Sequence, residues 1–355
     1  VAVLDFKSMY PSIMITNNIC HTTRVDNVDE STEVNESPSG TKFLKKEIRE
    51  GLVPRLLQDL MAQRDEHKTQ MKCAEDESTR MFHNQMQSAV KILMNTFYGV
   101  FASAFYRFTH PDIGSAITAW ARSNIKKIIH SLEEEGHPVV YSDTDSVFVK
   151  FSRRHKDTGK ILEGKEALKY CIDCGVKSGE WVTKHMLHKP QDLEYEKTFF
   201  PFILISKKRY TGDKYELSAE KPKERTSMGI VMKRRDNAAI VKYVFGNVIE
   251  IIMNQKSVDL AMEWLKKTLK EITDGQIDQS MFVISKSLSA YYKNPDGIAH
   301  KVLADRMAER NPGDKPKPND RIPFMYRILP KEMLYDYNNL YKSGARKGKP
   351  RDKKV

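Results

Sequence analysis

Two aspartates separated by one residue, Asp143-Thr144-Asp145, are the first chemistry the chain offers. They stand between the apolar runs Val139-Val140-Tyr141 and Val147-Phe148-Val149, a pattern that predicts a β-hairpin with an acidic tip. Two carboxylates at the end of buried strands repel each other, and a divalent cation would offset that cost. The competing reading is a solvated turn, since Asp and Ser are ordinary turn formers. A third carboxylate bears on the choice. Asp5 closes the apolar run Val1-Ala2-Val3-Leu4, which reads as a buried strand with an acid at its exit. In the segment that follows, Ser8 and Ser12 are candidate caps, and Pro11 suits a first helical turn. Such a strand exit beside the N–H groups of a helix start can hold a metal next to a phosphate chain. Alone, Asp5 would equally be an acid that ends a strand.

The cations are spaced to complement these acids. Arg64 and Lys68 lie four residues apart and so share one helix face, as do Lys91 and Asn95 further on. Two helices presenting such pairs can grip a triphosphate between them, although a pair taken singly is usually a solvated face. Lys207-Lys208-Arg209-Tyr210 sets three cations and an aromatic at a strand–turn junction, a cluster able to meet phosphates and groove edges.

The elements that must position these groups follow from periodicity. Leu52, Leu56, Leu57, Leu60 and Met61 recur at helical spacing within a stretch, Thr41 to Ala104, that reads as helical with one break near Cys73–Thr79. A second helix is expected over Met81–Phe97, with Gly99 after Tyr98 closing it. Further helices are expected over Ile113–Leu132, Lys165–Leu187, Ala238–Met253 and Ser257–Ile272. Strands are expected at Leu193–Glu196, Phe199–Ile205 and Phe282–Lys286. The acidic stretch Val25–Gly40 reads as a mobile loop, and 311–321 as a Pro- and Lys-rich one. From about Lys221 the composition shifts to a separate, mainly helical lobe with basic edges, including Arg234, Arg235 and Lys286.

Composition narrows the class. The chain has 355 residues, 40% hydrophobic and 30% charged, enough for a substantial core in two or three domains or one lobed body. A net charge of +12 favours a polyanionic partner, nucleic acid being the commonest. Four cysteines are too few for a disulfide framework and suit a reducing compartment. Cys171-Ile-Asp-Cys174 lacks two further zinc ligands at matching spacing and reads as two helix-face cysteines. No run reaches the ~18 apolar residues of a membrane span, and no signal peptide precedes the first strand. The start at Val1 and the charged run from Lys342 to Val355 suggest a piece of something longer.

Four segments together carry a family resemblance. Asp5-Phe6-Lys7-Ser8-Met9-Tyr10-Pro11-Ser12-Ile13 resembles the first polymerase motif of family B DNA polymerases, D-x-x-S-L-Y-P-S-I. Lys91 to Gly99 resembles the second, K-x-x-x-N-S-x-Y-G, and Tyr141 to Ser146 the third, Y-G-D-T-D-S. Lys207 to Tyr210 matches the family's K-K-R-Y. The four stand in the family's order and spacing, the resemblance covers essentially the whole chain, and the wording most resembles the eukaryotic replicative (delta-like) enzymes and those of large DNA viruses. Met9, Thr96 and Ser142 depart from the usual Leu, Ser and Gly; the first two are near-isosteric, whereas Ser142 puts a side chain at an expected tight turn.

The resemblance implies an α+β right-hand fold: a palm of antiparallel sheet with flanking helices over 1–40 and 101–222, two-helix fingers over 41–100, and a mainly helical, incomplete thumb from 223. It implies template-directed DNA synthesis during replication, by two-metal nucleotidyl transfer from a dNTP to a primer 3′-hydroxyl. Asp5, Asp143 and Asp145 would be catalytic and, with the Phe6 carbonyl, would bind two Mg²⁺ ions, for which Mn²⁺ can substitute. Ser8, Met9, Tyr10, Arg64, Lys68, Lys91, Asn95 and Thr144 would bind the nucleotide, with Tyr10 excluding a ribose 2′-hydroxyl. Tyr98, Gly99, Lys207, Lys208, Arg209, Tyr210, Arg234, Arg235 and Lys286 would contact primer–template DNA, and Glu194 and Glu196 would be supporting acids. A sliding clamp or accessory subunits, a nuclear or viral replication site, and no membrane are further implications. The family's exonuclease and N-terminal domains would precede Val1, and its cysteine-rich metal modules would follow Val355.

Three rivals are weaker. A non-catalytic polymerase-like module should have lost its carboxylates, and all three are present. Reverse transcriptases and RNA polymerases place two adjacent acids at the hairpin, whereas Thr144 separates them here. A protein-primed family member should carry an insertion between the motifs.

Overall fold

The computed structural model describes residues 1–29, 31–326, 335–340 and 350–352, so most of the terminal charged run lies outside the described residues. The chain divides into two compact units, Val1–Ser227 and Met228–Val355.

The first unit begins with β1 (Ala2–Phe6), α1 (Met9–Thr16), β2 (Arg24–Val25), β3 (Val34–Glu36) and β4 (Lys42–Leu44). Then come α2 (Leu52–Cys73), α3 (Glu77–Ala102), α4 (Pro111–Glu134), β5 (Val139–Asp143), β6 (Ser146–Val149) and α5 (Gly164–Met186). It ends in β7 (Leu193–Ser206), β8 (Arg209–Tyr215) and β9 (Glu224–Met228). Six of the strands form one sheet in the order β5-β6-β1-β7-β8-β9. Its ladders from β5 through β8 are antiparallel.

β1 lies inside the sheet because it can be buried on both faces. Ala2, Leu4 and Phe6 join the larger core with Ile13 of α1, Ile113, Ile117 and Ile128 of α4 and Val182 of α5. Val3, one residue out of step, joins Phe148, Phe199 and Tyr210 on the opposite face. Asp5 shares the parity of Val3 and so belongs to that second face, away from the larger core. On that face Gly212 is required, because a Cβ there would stand 2.7 Å from the Phe199 ring.

α2 and α3 pack as an antiparallel pair joined by Ala74–Asp76. Asp76 caps α3 by accepting the Thr79 N–H at 2.8 Å, which holds its carboxyl well below the usual range. Arg64 on α2 and Lys91 on α3 thus come from helices fixed to each other at one turn.

Several expectations are corrected. The stretch 25–40 is not a bare loop: β3 lies in it and pairs with β4, which also pairs with β2. Phe43 of β4 is fully buried, and that burial supplies the reason for the small sheet. The helical stretch expected from Thr41 therefore starts only at Leu52. Gly99 does not close the second helix, which runs on to Ala102 because Phe101 continues its buried face; Ser103 is the C-cap. The strands expected at Leu193–Glu196 and Phe199–Ile205 are one strand, and Pro201 is tolerated where the ladder to β8 shifts register between Phe199 and Phe202.

The second unit contains α6 (Ala239–Gln255), α7 (Val258–Thr273), β10 (Ile284–Ser287), α8 (Ala299–Arg310) and β11 (Arg321–Phe324), and then β12 (Tyr335–Leu340) and β13 (Pro350–Asp352). α6 packs on α7, and β10 pairs with β11 over a small core of Leu288, Ala304 and Ile322. β10 starts two residues later than expected because Gln279–Phe282 forms a 3₁₀ turn. Among the described residues, no helix is long and apolar enough to cross a membrane.

Candidate active site

The acidic hairpin forms as its apolar flanks demand. Asp143 pairs with Ser146, leaving Thr144 and Asp145 as the two-residue tip. The Asp145 N–H and the Ser146 hydroxyl both donate to the Asp143 carbonyl, at 2.7 and 3.1 Å. Thr144 sits at φ +59°, which costs a β-branched residue about 1–3 kcal/mol and is met mostly where a tip must present particular groups. Ser142 is not at the turn: it lies in β5 opposite Val147, so the expected effect of a side chain at a tight turn does not arise. The Phe6 N–H donates to the Asp145 carbonyl at 3.0 Å, tying the tip to the exit of β1. Asp5, next to Phe6, is thereby brought beside Asp145.

The electrostatics of the three aspartates differ. Burial first, then the charges of Asp145 and Glu196, push Asp5 up to about 7. Burial also raises Asp145, with Asp143 and Glu196 adding to it. Burial works on Asp143 too, but hydrogen bonds from Lys208 and Thr144 outweigh it and hold that carboxyl below its ordinary value. The Lys208 ammonium bonds Asp143 directly, and the Lys208 backbone N–H donates to the Tyr141 hydroxyl at 2.9 Å. The three aspartates therefore do not act as one cluster, and no three Asp, Glu, His or Cys side chains among the described residues converge to hold an ion. What remains is the pair Asp5 and Asp145, neither in an ion pair among the described residues and only partly offset by the charge of Lys91. Its two raised carboxyls are the donor set a divalent cation would relieve.

The supporting acids separate as well. Glu194 pairs across from Asp5 in the sheet and lines the site cavity. Glu196 is the extra residue where the β1–β7 register shifts; it acts on Asp5 through its charge and is ion-paired to Lys197 at 3.0 Å.

A cavity of about 390 Å³ opens beside these acids. Asp5, Asp145, Thr144 and Glu194 line it from the sheet, Phe6 to Tyr10 from the start of α1, and Arg64, Lys68, Lys91, Asn95 and Tyr98 from α2 and α3. Ser8 takes the left-handed conformation (φ +55°) at the N-cap of α1 and makes no side-chain cap bond. Its hydroxyl instead accepts from Arg64 Nη1 at 3.1 Å. Lys68 is pulled down by burial and by the charges of Arg64 and Lys7. Tyr10 packs on Tyr98 with ring centroids 4.4 Å apart, and burial raises its hydroxyl. All the expected nucleotide-contacting residues thus line one cavity, and Tyr98, expected at DNA, joins them.

The expected DNA contacts divide. Lys207, Lys208 and Arg209 are all exposed at the β7–β8 tip, but the Lys208 ammonium is already bound to Asp143. Tyr210 is buried among Tyr141, Phe148, Phe199 and Phe202, its hydroxyl raised to about 12, so it braces the sheet rather than offering a free face. Gly99 lies within α3 with open space where a Cβ would be. In the second unit Arg235 and Lys286 are exposed, while Arg234 makes two bonds to Asp236 at 3.0 and 2.9 Å.

Two cavity neighbours escaped the sequence reading. Lys7 lines the cavity and is ion-paired to Asp65 at 3.4 Å. Gln87, one helical turn before Lys91, accepts from Arg64 Nε at 3.4 Å. The spacing that linked Lys91 to Asn95 would have found Gln87 if extended backwards.

The family model described as DNA polymerase family B matches residues 1–344. The chain belongs to DNA polymerase family B. A DNA polymerase of Pyramimonas orientalis virus is 35% identical over 92% of this chain and 32% of its own length. The DNA polymerase delta catalytic subunit of Candida albicans is 33% identical over 92% of this chain and 31% of its own length. This family B chain thus spans about a third of those relatives. Among solved structures, the family B DNA polymerase of Pyrobaculum calidifontis shares the fold, with a TM-score of 0.66 and 24% identity over 93% of this chain and 40% of that one.

Proposed function

We propose that the chain carries the nucleotidyl-transfer centre of a replicative DNA polymerase, joining a dNTP to a primer 3′-hydroxyl under the direction of a template. One observation carries this: the acids Asp5 and Asp145, whose carboxyls stay raised despite Lys91, and the cations Arg64, Lys68 and Lys91, none in an ion pair among the described residues, line the same cavity. The acids call for a cation and the cations for a polyanion, and a metal-bound triphosphate is both.

In this reading the six-stranded sheet and its helices are the palm, α2 and α3 the fingers, and the second unit the thumb. Asp5 and Asp145, with the Phe6 carbonyl, would hold Mg²⁺ or Mn²⁺, and Asp143 would support them from its bond to Lys208. When bound, the ions would activate the 3′-hydroxyl and stabilise the leaving pyrophosphate. The rest falls to the chain. Arg64, Lys68, Lys91 and Asn95 grip the phosphates, and the uncapped start of α1 offers the Ser8, Met9 and Tyr10 amides to them. Tyr10, braced by Tyr98, fills the space of a ribose 2′-hydroxyl. Lys207 and Arg209, with Arg235 and Lys286 of the second unit, bind the backbone of the duplex, so binding falls steeply with salt. Accessory subunits and a nuclear or viral replication site accord with the relatives' origins.

The test is primer extension by the 355-residue chain with Mg²⁺. Asp5→Ala and Asp145→Ala are expected to abolish extension and leave duplex binding intact. Near-normal extension by either variant would sink the assignment.

A further inference from the structure

Arg64 is the one Lys, Arg, Asp or Glu among the described residues that is buried, at 9% exposure, and it has no carboxylate partner there. Its neighbour Asp65 is turned to Lys7 at 3.4 Å instead. Two neutral oxygens hold the guanidinium: Ser8 Oγ takes Nη1 at 3.1 Å and Gln87 Oε1 takes Nε at 3.4 Å. Gln87 is itself oriented, because its Nε2 donates to Asn84 Oδ1 at 3.1 Å and to Ser88 Oγ at 2.9 Å, which fixes Oε1 as the end facing Arg64. Gln87 does not line the cavity and reaches it only through Arg64.

From this arrangement we infer that Gln87 is a positioning residue that aims Arg64 at the triphosphate while leaving its charge uncancelled. A carboxylate in that place would orient the guanidinium more firmly but would neutralise it and compete with the phosphates for its donors. A neutral acceptor orients without competing, so the amide chemistry matters more than the contact itself. The inference rests on the proposed role of Arg64 toward the nucleotide.

The experiment compares Gln87→Met, Gln87→Glu and Arg64→Ala in the full chain, by the KM and kcat for a single dNTP addition and by equilibrium dTTP binding to the DNA-bound chain. Melting temperatures and duplex affinity are measured alongside to confirm the fold. Gln87→Met keeps the length and removes the acceptor, and is expected to raise KM about 3- to 10-fold with kcat nearly unchanged. Gln87→Glu is expected to weaken dTTP more than Gln87→Met does, a ranking that a merely structural contact would not produce. If Arg64→Ala weakens dTTP while Gln87→Glu binds it as well as the parent chain, the inference is overturned and the role of Arg64 stands. If Arg64→Ala leaves dTTP binding unchanged, the assignment of Arg64 fails and the inference with it.

Discussion

Asp5→Asn in the absence of divalent ions is expected to stabilise the first unit at pH 8 and to have no such effect at pH 4. The carboxyl is half-buried at a strand exit and is pushed up to about 7 by burial, Asp145 and Glu196. In the unfolded chain it titrates near its ordinary value of about 3.9. A carboxyl raised in this way binds its proton more tightly in the folded state, so it favours folding below about pH 4, and that contribution is lost as the pH rises through about 7. The full difference is at most ~4 kcal/mol, and because part of the group remains in water, ~2 kcal/mol is the working value. Asparagine keeps the shape and removes the charge, and in a unit of this size the gain corresponds to a rise in melting temperature of about 4–8 °C.

The assay is thermal unfolding followed by far-UV circular dichroism, with EDTA or with Mg²⁺, at pH 4 and pH 8. With EDTA at pH 8 the variant should melt above the parent; at pH 4 the two should coincide. Mg²⁺ at pH 8 should raise the parent and leave the variant unmoved, because only the parent keeps the carboxylate pair that binds the ion. Equal melting of the two chains in EDTA at pH 8, or a gap that is the same at both pH values, would refute the argument that burial and the charge of Asp145 outweigh the cations around Asp5.

Three further outcomes are expected. Tyr10→Ala should admit ribonucleotides, read as the ratio of dNTP to rNTP incorporation; an unchanged ratio removes Tyr10 from the sugar. Gly99→Ala should raise thermal stability by about 0.5–1 kcal/mol, because Gly99 is inside α3 with open space beside it; a loss of stability would restore it as a helix terminus, and duplex affinity measured in parallel tests its contact with DNA. Ser142→Gly should lower stability by about 0.5–1 kcal/mol without speeding extension, since Ser142 is a paired strand residue; faster extension would return it to the turn.

The fold was legible where one period ran uninterrupted. The apolar run of β1, the hairpin flanks of Asp143 and the helical spacing in α2 and α4 all led to the right elements. The misreadings fall where tertiary burial overrode local chemistry. Gly99 looks like a stop, but Phe101 beyond it finds the core and carries α3 another turn. The 25–40 stretch is too polar to announce a strand, yet β4 gives β3 a ladder and Phe43 an interior. Pro201 divides the apolar pattern of β7, but the register shift to β8 absorbs it.

The site was legible as residue types and spacing, but its charge balance was not, because compensation is decided in space. Arg64 and Asp65 are adjacent in the chain and would pass for a neutral pair, yet Asp65 goes to Lys7 and leaves Arg64 to neutral oxygens. Asp143 and Asp145 look equivalent one residue apart, yet the tip gives them different surroundings: Lys208 bonds Asp143, while the Phe6 N–H bond to its carbonyl sets Asp145 beside Asp5, which it raises. Lys208 sits in a run of cations that suggests one free surface, but its left-handed backbone (φ +60°), its backbone bond to Tyr141 and its ammonium bond to Asp143 tie this exposed side chain to the hairpin. In each case the sequence fixes how many charges there are, while the folded chain decides which are cancelled. The charges left uncancelled, Asp5 and Asp145 on the sheet and Arg64, Lys68 and Lys91 on α2 and α3, are those an incoming ligand must satisfy.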